Sequence, residues 1–168
     1  MTDVLEADFS ACIRPGEYVV AVDRMGTSFP FRIDRDVYRT AHLAVLKGMY
    51  QLRCGTALTE PFTRWTRSVC HHPAIRPVIQ SKIRRMDRQC DACQDVEATG
   101  ERREIWGGYH DAGDWDREEG HVEVPQLLAL AYELFPEKFR DGEGNIPESG
   151  NGIPDILDEA MWGADYYV

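Results

Sequence analysis

The sequence lacks the features that mark several protein classes. Its longest unbroken apolar run is the six residues 127–132, whereas a membrane-spanning helix needs about 20. The first residues contain no basic start followed by an apolar stretch, so no signal peptide is predicted. Basic residues are scarce, with 19 Lys and Arg against 29 Asp and Glu and a net charge of −10. These properties disfavour nucleic-acid and membrane partners and suit a sugar or a metal ion.

Cysteine is present in an odd number, five among 168 residues, so the cysteines cannot all form intrachain disulfides. Zinc-ligand side chains occur at Cys54, in the run Cys70-His71-His72 and at His110, but their wide spacing makes the pattern weak by itself. Cys90 and Cys93 form a CxxC motif, which suits half a metal site, a redox pair, a loop disulfide or a purely structural role.

Local patterns predict a short β-region followed by helices. Residues 16–23 and 28–33 are rich in β-branched and aromatic side chains, but so few strands cannot bury a core alone. We predict helices that begin at Asp34, at Pro125 and at Pro154. The basic run 76–88 is expected to be a solvated helix or loop. The last helix reaches the chain end without a stop signal, so we expect a truncated domain.

The densest group of chemically active side chains lies at 106–116. Two carboxylates, Asp111 and Asp114, flank Ala-Gly in a tight turn, with aromatic residues on both sides. Carboxylates that move protons and flat rings that pack on pyranose faces are typical of sugar sites. The alternative is an acidic surface turn that aromatic residues anchor to the core.

A second acidic segment spans 141–168, with seven carboxylates and no basic residue. Carboxylates, Asn side chains and exposed carbonyls suit calcium. An EF-hand that starts at Asp141 fails, because its twelfth position is Gly152. The alternative is a solvated acidic helix start, which the helix dipole favours.

Taken together, these motifs resemble glycoside hydrolase family nine, the cellulase family built as a toroid of six helical hairpins. The matching segments follow one another along nearly the whole chain: 50–55, 70–71, 107–114 and 145–160. Residues 16–33 are similar to the last strands of an immunoglobulin-like module that precedes the catalytic domain in one branch. The resemblance implies a mainly α fold, in which 34–168 form the first hairpins of an (α/α)6 toroid after the β-sandwich end at 1–33.

The resemblance also implies chemistry, namely hydrolysis of a β-1,4-glucan such as cellulose with inversion at the anomeric carbon. Asp114 would be the general base that activates water, and Asp111 would orient that water. The general acid of the family is a Glu far towards the C-terminus, and we expect this chain to end before it. The residues expected to contact sugar are Trp106, Tyr109, His110 and Trp115.

Two metal sites follow from the same resemblance. A structural zinc is expected on Cys54, Cys70, His71 and His110. A calcium ion is expected near Glu148 and Asp155. An insoluble glucan substrate implies a secreted enzyme, although no sequence signal here indicates export.

The sequence departs from the family pattern at Tyr109, where Trp is common, and at 72–104, which is longer than the usual link. Two alternatives stay open. One is a non-catalytic, zinc-stabilised sugar-binding or scaffold fragment. The other is an exo-acting β-glucosidase or glucosaminidase of the same family.

Overall fold

The computed structural model describes residues 6–75, 78–85, 95–110 and 118–167. The chain divides into two compact units, Met1–His42 and Leu43–Val168. Among the described residues, no helix is both long and apolar enough to cross a bilayer.

The first unit is a small antiparallel β-structure. The outer ladder pairs β1 (Gly16–Tyr18) with β4 (Phe31–Ile33), and the inner ladder pairs β2 (Ala21–Val22) with β3 (Gly26–Thr27). The strands predicted at 16–23 and 28–33 are therefore confirmed in outline, although the structure breaks the first into two pieces and shortens the second to its last three residues. Pro30 lies just outside β4, as expected for a residue that cannot donate to a ladder.

Helix α1 (Arg39–Leu52) begins five residues later than predicted. The Asp34 carboxylate, the expected cap, accepts instead a hydrogen bond from the backbone N–H of Asp36 in the preceding turn (3.0 Å). Short acidic side chains often close such turns in competition with helix formation.

The buried face of α1 also differs from the face that its apolar spacing predicts. The apolar residues of 37–49 recur at spacings of three and four positions, which predicts an inward face that contains Val37, Tyr38 and Val45. These three side chains are exposed. Leu46 and Tyr50, four residues apart, are the buried ones. Tyr50 packs with Leu58 and Ile146 in the core of the second unit, and the ring of Phe62 meets Tyr50 edge-on.

A β-hairpin occupies most of the long link between the Cys-His pair and the Gly-Gly turn. Strand β5 (Val78–Arg85) pairs antiparallel with β6 (Asp95–Arg103). The prediction of a solvated helix or loop for 76–88 was therefore wrong. Its apolar residues Val78, Ile79 and Ile83 do not alternate with polar residues at a period of two, so the run shows no strand pattern in sequence. Cys90 and Cys93 lie outside the described residues.

Helix α2 (Glu118–Leu134) begins seven residues before the predicted start and contains Pro125 in its interior. It packs against α3 (Asp155–Asp165), whose predicted start after Pro154 is confirmed. The contact requires Gly163, because a Cβ there would lie 3.1 Å from Cδ of Pro125 and 3.0 Å from Cε2 of Tyr109. Pro125, a residue that tends to kink helices, thus packs against α3 at Gly163, which has no side chain.

The loop between α2 and α3 is organised by carboxylates that accept backbone hydrogen bonds. Asp155 is completely buried, and its two oxygens accept from the N–H groups of Gly142 and Gly144 (both 2.7 Å) and from the Ser149 hydroxyl (2.8 Å). Asp141 accepts from two further backbone N–H groups in the same loop. These backbone bonds lower the pKa of Asp141.

The expectation of a solvated acidic start for α3 was wrong. Asp155, Asp158 and Glu159 are all buried, together with Ile156 and Ala160. Because a buried carboxylate needs hydrogen bonds to offset its lost hydration, each of these acids has donors. Asp155, Asp158 and Glu159 are therefore buried, hydrogen-bonded parts of the fold.

We predict that Asp155→Asn lowers the free energy of unfolding by about 2–3 kcal/mol, because the amide turns one of its acceptor oxygens into a donor that faces other donors. Urea denaturation of the intact protein measures the change. Asp165→Asn, at the exposed end of the same helix, is the matched control and should change stability by less than about 0.5 kcal/mol. Equal effects of the two substitutions would contradict the role of Asp155.

Candidate active-site loop and metal centre

The segment 107–110, which leads directly into Asp111, is held against the C-terminal end of α1. Arg53 and Tyr109 form an isolated antiparallel β-bridge. On either side of it the N–H of Cys54 donates to the carbonyl of Gly108 (2.9 Å), and the N–H of His110 donates to the carbonyl of Leu52 (2.7 Å). The backbone that precedes the predicted catalytic turn is therefore fixed to a helix end.

Two glycines allow this approach. Gly107 and Gly108 have φ values of 106° and 66°, in the region where residues with a Cβ are strained. The carbonyl of Gly108 accepts a second hydrogen bond, from the indole N–H of Trp162 on α3 (2.9 Å). The Gly-Gly pair thus lets the loop turn between α1 and α3.

The four predicted zinc ligands lie together. The ligand atoms of Cys54, Cys70, His71 and His110 are all within 4.8 Å of one another. Sγ of Cys54 lies 3.4 Å from Nδ1 of His71, and Sγ of Cys70 lies 3.2 Å from Nε2 of His110. Tetrahedral zinc with its usual bond lengths separates such ligand atoms by about 3.3–3.8 Å. The group therefore has the composition and spacing of a metal site.

The backbone of His71 supports the same interpretation. Its φ of 42° is left-handed, which is costly for a residue other than glycine. Such strain persists where surrounding interactions hold it and is concentrated at functional sites. Here the turn directs the imidazole towards Cys54, and the ring lies 5.5 Å from that of His110.

Beneath the loop lies a buried ionic network that the sequence analysis missed. Nε of Arg53 donates to Oε1 of Glu159, and Nη1 donates to Oε1 of Glu148, both at 2.8 Å. Arg53 and Glu159 are almost completely buried. The hydroxyl of Tyr109 donates to the backbone carbonyl of Glu159 (2.7 Å) and lies 3.2 Å from its Oε2. Through its carboxylate and its backbone carbonyl, Glu159 of α3 thus binds both Arg53, the residue after α1, and the loop.

The guanidinium of Arg53 lies close to two aromatic rings. Its Cζ lies 4.6 Å from the ring centre of Trp162 and 5.3 Å from that of Tyr50. Such cation–π contacts stabilise a cation that has lost hydration. A sequence clue existed, since Arg53 continues the face of Leu46 and Tyr50 by three residues, and a charge on a buried face implies a buried partner.

Burial is the largest influence on the pKa values of Glu159 and Tyr109. It raises the pKa of Glu159 to about 7, against the opposing effect of Arg53. Burial and the adjacent Glu159 also raise the pKa of Tyr109, so its hydroxyl stays a hydrogen-bond donor.

The predicted sugar-contacting residues have different surroundings. Tyr109 is only 5% exposed, and its hydroxyl is bound to Glu159. The structure thus corrects its assignment as a stacking surface. His110 is half-buried in the metal group. Trp106 is 45% exposed and packs beside His72 and Trp162. Asp111, Asp114 and Trp115 lie outside the described residues.

Trp106 borders an open groove of about 440 Å³. The remaining lining residues are Glu104, Ile105, Gly107, Trp162, Asp165, Tyr166 and Tyr167. The groove contains two indoles, two phenols and two carboxylates, side chains that are typical of carbohydrate surfaces.

The expected calcium pair is not supported by the structure. Glu148 is bonded to Arg53, and both oxygens of Asp155 accept hydrogen bonds from the loop. Within the described ranges, these two residues belong to no cluster of three or more potential metal ligands.

Comparisons with known proteins show which proteins this chain is similar to. Endoglucanase D of Acetivibrio thermocellus is 30% identical over 166 residues, which cover 96% of this chain and 24% of the relative. A crystal structure of a metagenome-derived glycoside hydrolase family 9 endoglucanase is 38% identical, with a TM-score of 0.60 over 95% of this chain. This chain is thus similar to one segment of a family 9 endoglucanase. It spans about a quarter of the length of the curated relatives it matches.

A second solved structure bears on the metal group. It is a Zn-binding triple mutant of the family 9 endoglucanase J30, 31% identical, with a TM-score of 0.65 over 95% of this chain and 28% of that chain. No family model matches this sequence.

We predict a distinct pH dependence of stability in Glu159→Gln. Between the ordinary pKa of about 4.5 and the folded value of about 7, the folded state binds more protons than the unfolded chain. The carboxyl group therefore stabilises the fold most fully below about pH 4.5, and this contribution is lost as the pH rises to about 7.

The amide cannot titrate, so the stability difference between the native protein and the variant should shrink as the pH rises through this window. Denaturation midpoints at about pH 5 and about pH 7.5 measure it, and the histidine contributions cancel because both proteins share them. A difference that grows with pH would contradict the raised pKa.

Proposed function

We propose that the protein containing this segment is an inverting glycoside hydrolase that cleaves β-1,4-glucan. The main support is the match over 95% of the chain, at 38% identity, with a family 9 endoglucanase. The chain carries the Asp-Ala-Gly-Asp turn of 111–114 immediately after a segment that is anchored to two helices.

In this proposal Asp114 is the general base. An ionised carboxylate accepts a proton from water as the oxygen attacks the anomeric carbon, and Asp111 orients the same water. In inverting glycosidases the base lies about 6.5–9.5 Å from a carboxylic acid that protonates the leaving oxygen. We assign that acid to a Glu elsewhere in the intact protein. The exposed ring of Trp106, and Trp115, would pack on the sugar.

We also propose that the metal group of Cys54, Cys70, His71 and His110 holds zinc. Two thiolates and two imidazoles close all four tetrahedral positions, so the ion would be structural and would not bind substrate. Bound there, it would join the end of α1 to His110, the residue before Asp111.

The remaining proposals concern the whole protein. We assign residues 1–33 to the end of an immunoglobulin-like module and 34–168 to the first hairpins of an (α/α)6 toroid. An enzyme that acts on an insoluble polysaccharide must meet it outside the cell, and we therefore propose secretion.

The base assignment predicts that Asp114→Asn in the intact enzyme lowers kcat/KM on cello-oligosaccharides by about 10³-fold or more, because the amide cannot accept the proton. Oligosaccharide affinity, measured by calorimetry, should stay within a few-fold. Asp116→Asn, two residues away and without an assigned role, is the matched control. Hydrolysis at the native rate by the Asp114 variant would exclude this residue as the base.

The zinc proposal predicts one zinc per chain after exhaustive dialysis, measured by elemental analysis. Cys70→Ser should reduce this content at least about tenfold and lower the melting temperature, because metal binding stabilises the folded state. Cys12→Ser changes a thiol outside the group and should leave the metal content unchanged. Folded native protein without zinc would refute the assignment.

A further inference from the structure

The segment that leads into the predicted catalytic turn has contacts with α1 and α3, and those with α3 converge on two residues. The indole N–H of Trp162 donates to the carbonyl of Gly108. The hydroxyl of Tyr109 donates to the backbone carbonyl of Glu159 (2.7 Å) and lies 3.2 Å from its carboxylate Oε2. Tyr109 lies two residues before Asp111, so its position constrains the backbone that enters the predicted catalytic turn.

Glu159 itself has little freedom to move. Its side chain is fully buried, and Oε1 is fixed by Nε of Arg53 at 2.8 Å. The guanidinium is fixed in turn by Glu148 and by the rings of Tyr50 and Trp162. A buried ion pair contributes little net stability compared with apolar residues of the same volume, but it defines one geometry.

We propose that Glu159 is a positioning residue for catalysis, which acts through Tyr109 to place the turn that carries Asp111 and Asp114. This inference rests on the proposed function. Glu159 contacts no reacting atom in this scheme. It holds the phenol hydroxyl in place, and a supporting residue of this kind affects the rate because a misplacement of about 1 Å can cost about 100-fold.

The test compares Glu159→Gln and Tyr109→Phe with the native intact enzyme. Both substitutions preserve side-chain size. Tyr109→Phe removes both contacts of the phenol hydroxyl with Glu159, whereas Glu159→Gln alters only the side-chain contact and keeps the backbone carbonyl. We expect kcat to fall about 10- to 100-fold with KM within about twofold, because substrate binding surfaces are unchanged. The double variant should be no slower than the slower single variant, since Tyr109→Phe already removes the contact that Glu159→Gln alters.

Asp158→Asn provides the matched control. Asp158 precedes Glu159 on α3 and is also buried, but its carboxylate binds Asn151 in the α2–α3 loop. A general loss of α3 stability would reduce kcat in this variant as well, whereas a positioning role of Glu159 leaves its kcat native. If Glu159→Gln does not fold, Tyr109→Phe, which removes a single hydroxyl, makes the same comparison.

Unchanged kcat in Tyr109→Phe and Glu159→Gln would overturn the inference, and so would an equal loss of kcat in Asp158→Asn. Additive losses in the double variant would overturn it too, because they would mean two independent effects. The proposed function fails separately, by native hydrolysis in Asp114→Asn. If Asp114→Asn is inactive and the separate variant Glu159→Gln is fully active, only the positioning role is overturned.

Discussion

The ion pair between Arg53 and Glu159 joins the parts of the second unit that matter most for its candidate site. Arg53 follows the end of α1, Glu159 lies within α3, and the loop 107–110 is bound to both. Loss of Arg53 would leave the Glu159 carboxyl group buried without its cationic partner, at a cost of about 3–5 kcal/mol. Loss of Glu159 would leave Arg53 with Glu148 as its remaining carboxylate partner. The rings of Tyr50 and Trp162 also lie close to the guanidinium.

Around this pair, the structure uses carboxylates where many folds use apolar side chains. Asp155 organises the α2–α3 loop, and Glu159 organises the loop 107–110. His110, directly after Tyr109, belongs to the metal group. The segment before the predicted catalytic turn is thus bound to α3 through Gly108 and Tyr109, and it supplies one of the four potential metal ligands. Proton transfer from an oriented water to the proposed base would need a rigid support of this kind.

The sequence predicted the candidate metal ligands more accurately than it predicted which side chains are buried. The order of the motifs indicated the family, which the comparisons support, and the resemblance to that family selected the four side chains that lie together. Reasoning on helix faces failed, because α3 buries three carboxylates that periodicity methods treat as solvent-facing, and because α1 buries Leu46 and Tyr50 while Val45 is exposed. The hairpin of β5 and β6 was missed because Val78, Ile79 and Ile83 do not follow the alternation of a strand.

The sequence by itself determined which residues could bind metal or move protons, and where α3 begins, because side-chain chemistry and proline geometry are local properties. Tertiary structure alone decided that Glu159 lies buried beside Arg53, 106 positions away in sequence, and that Tyr109 points inwards and not towards a sugar. Burial, and the pKa shifts that follow from it, depend on which distant segments exclude water from a group. No local pattern contains that information, since the same acidic helix start is stable either in solvent or in a core that supplies donors.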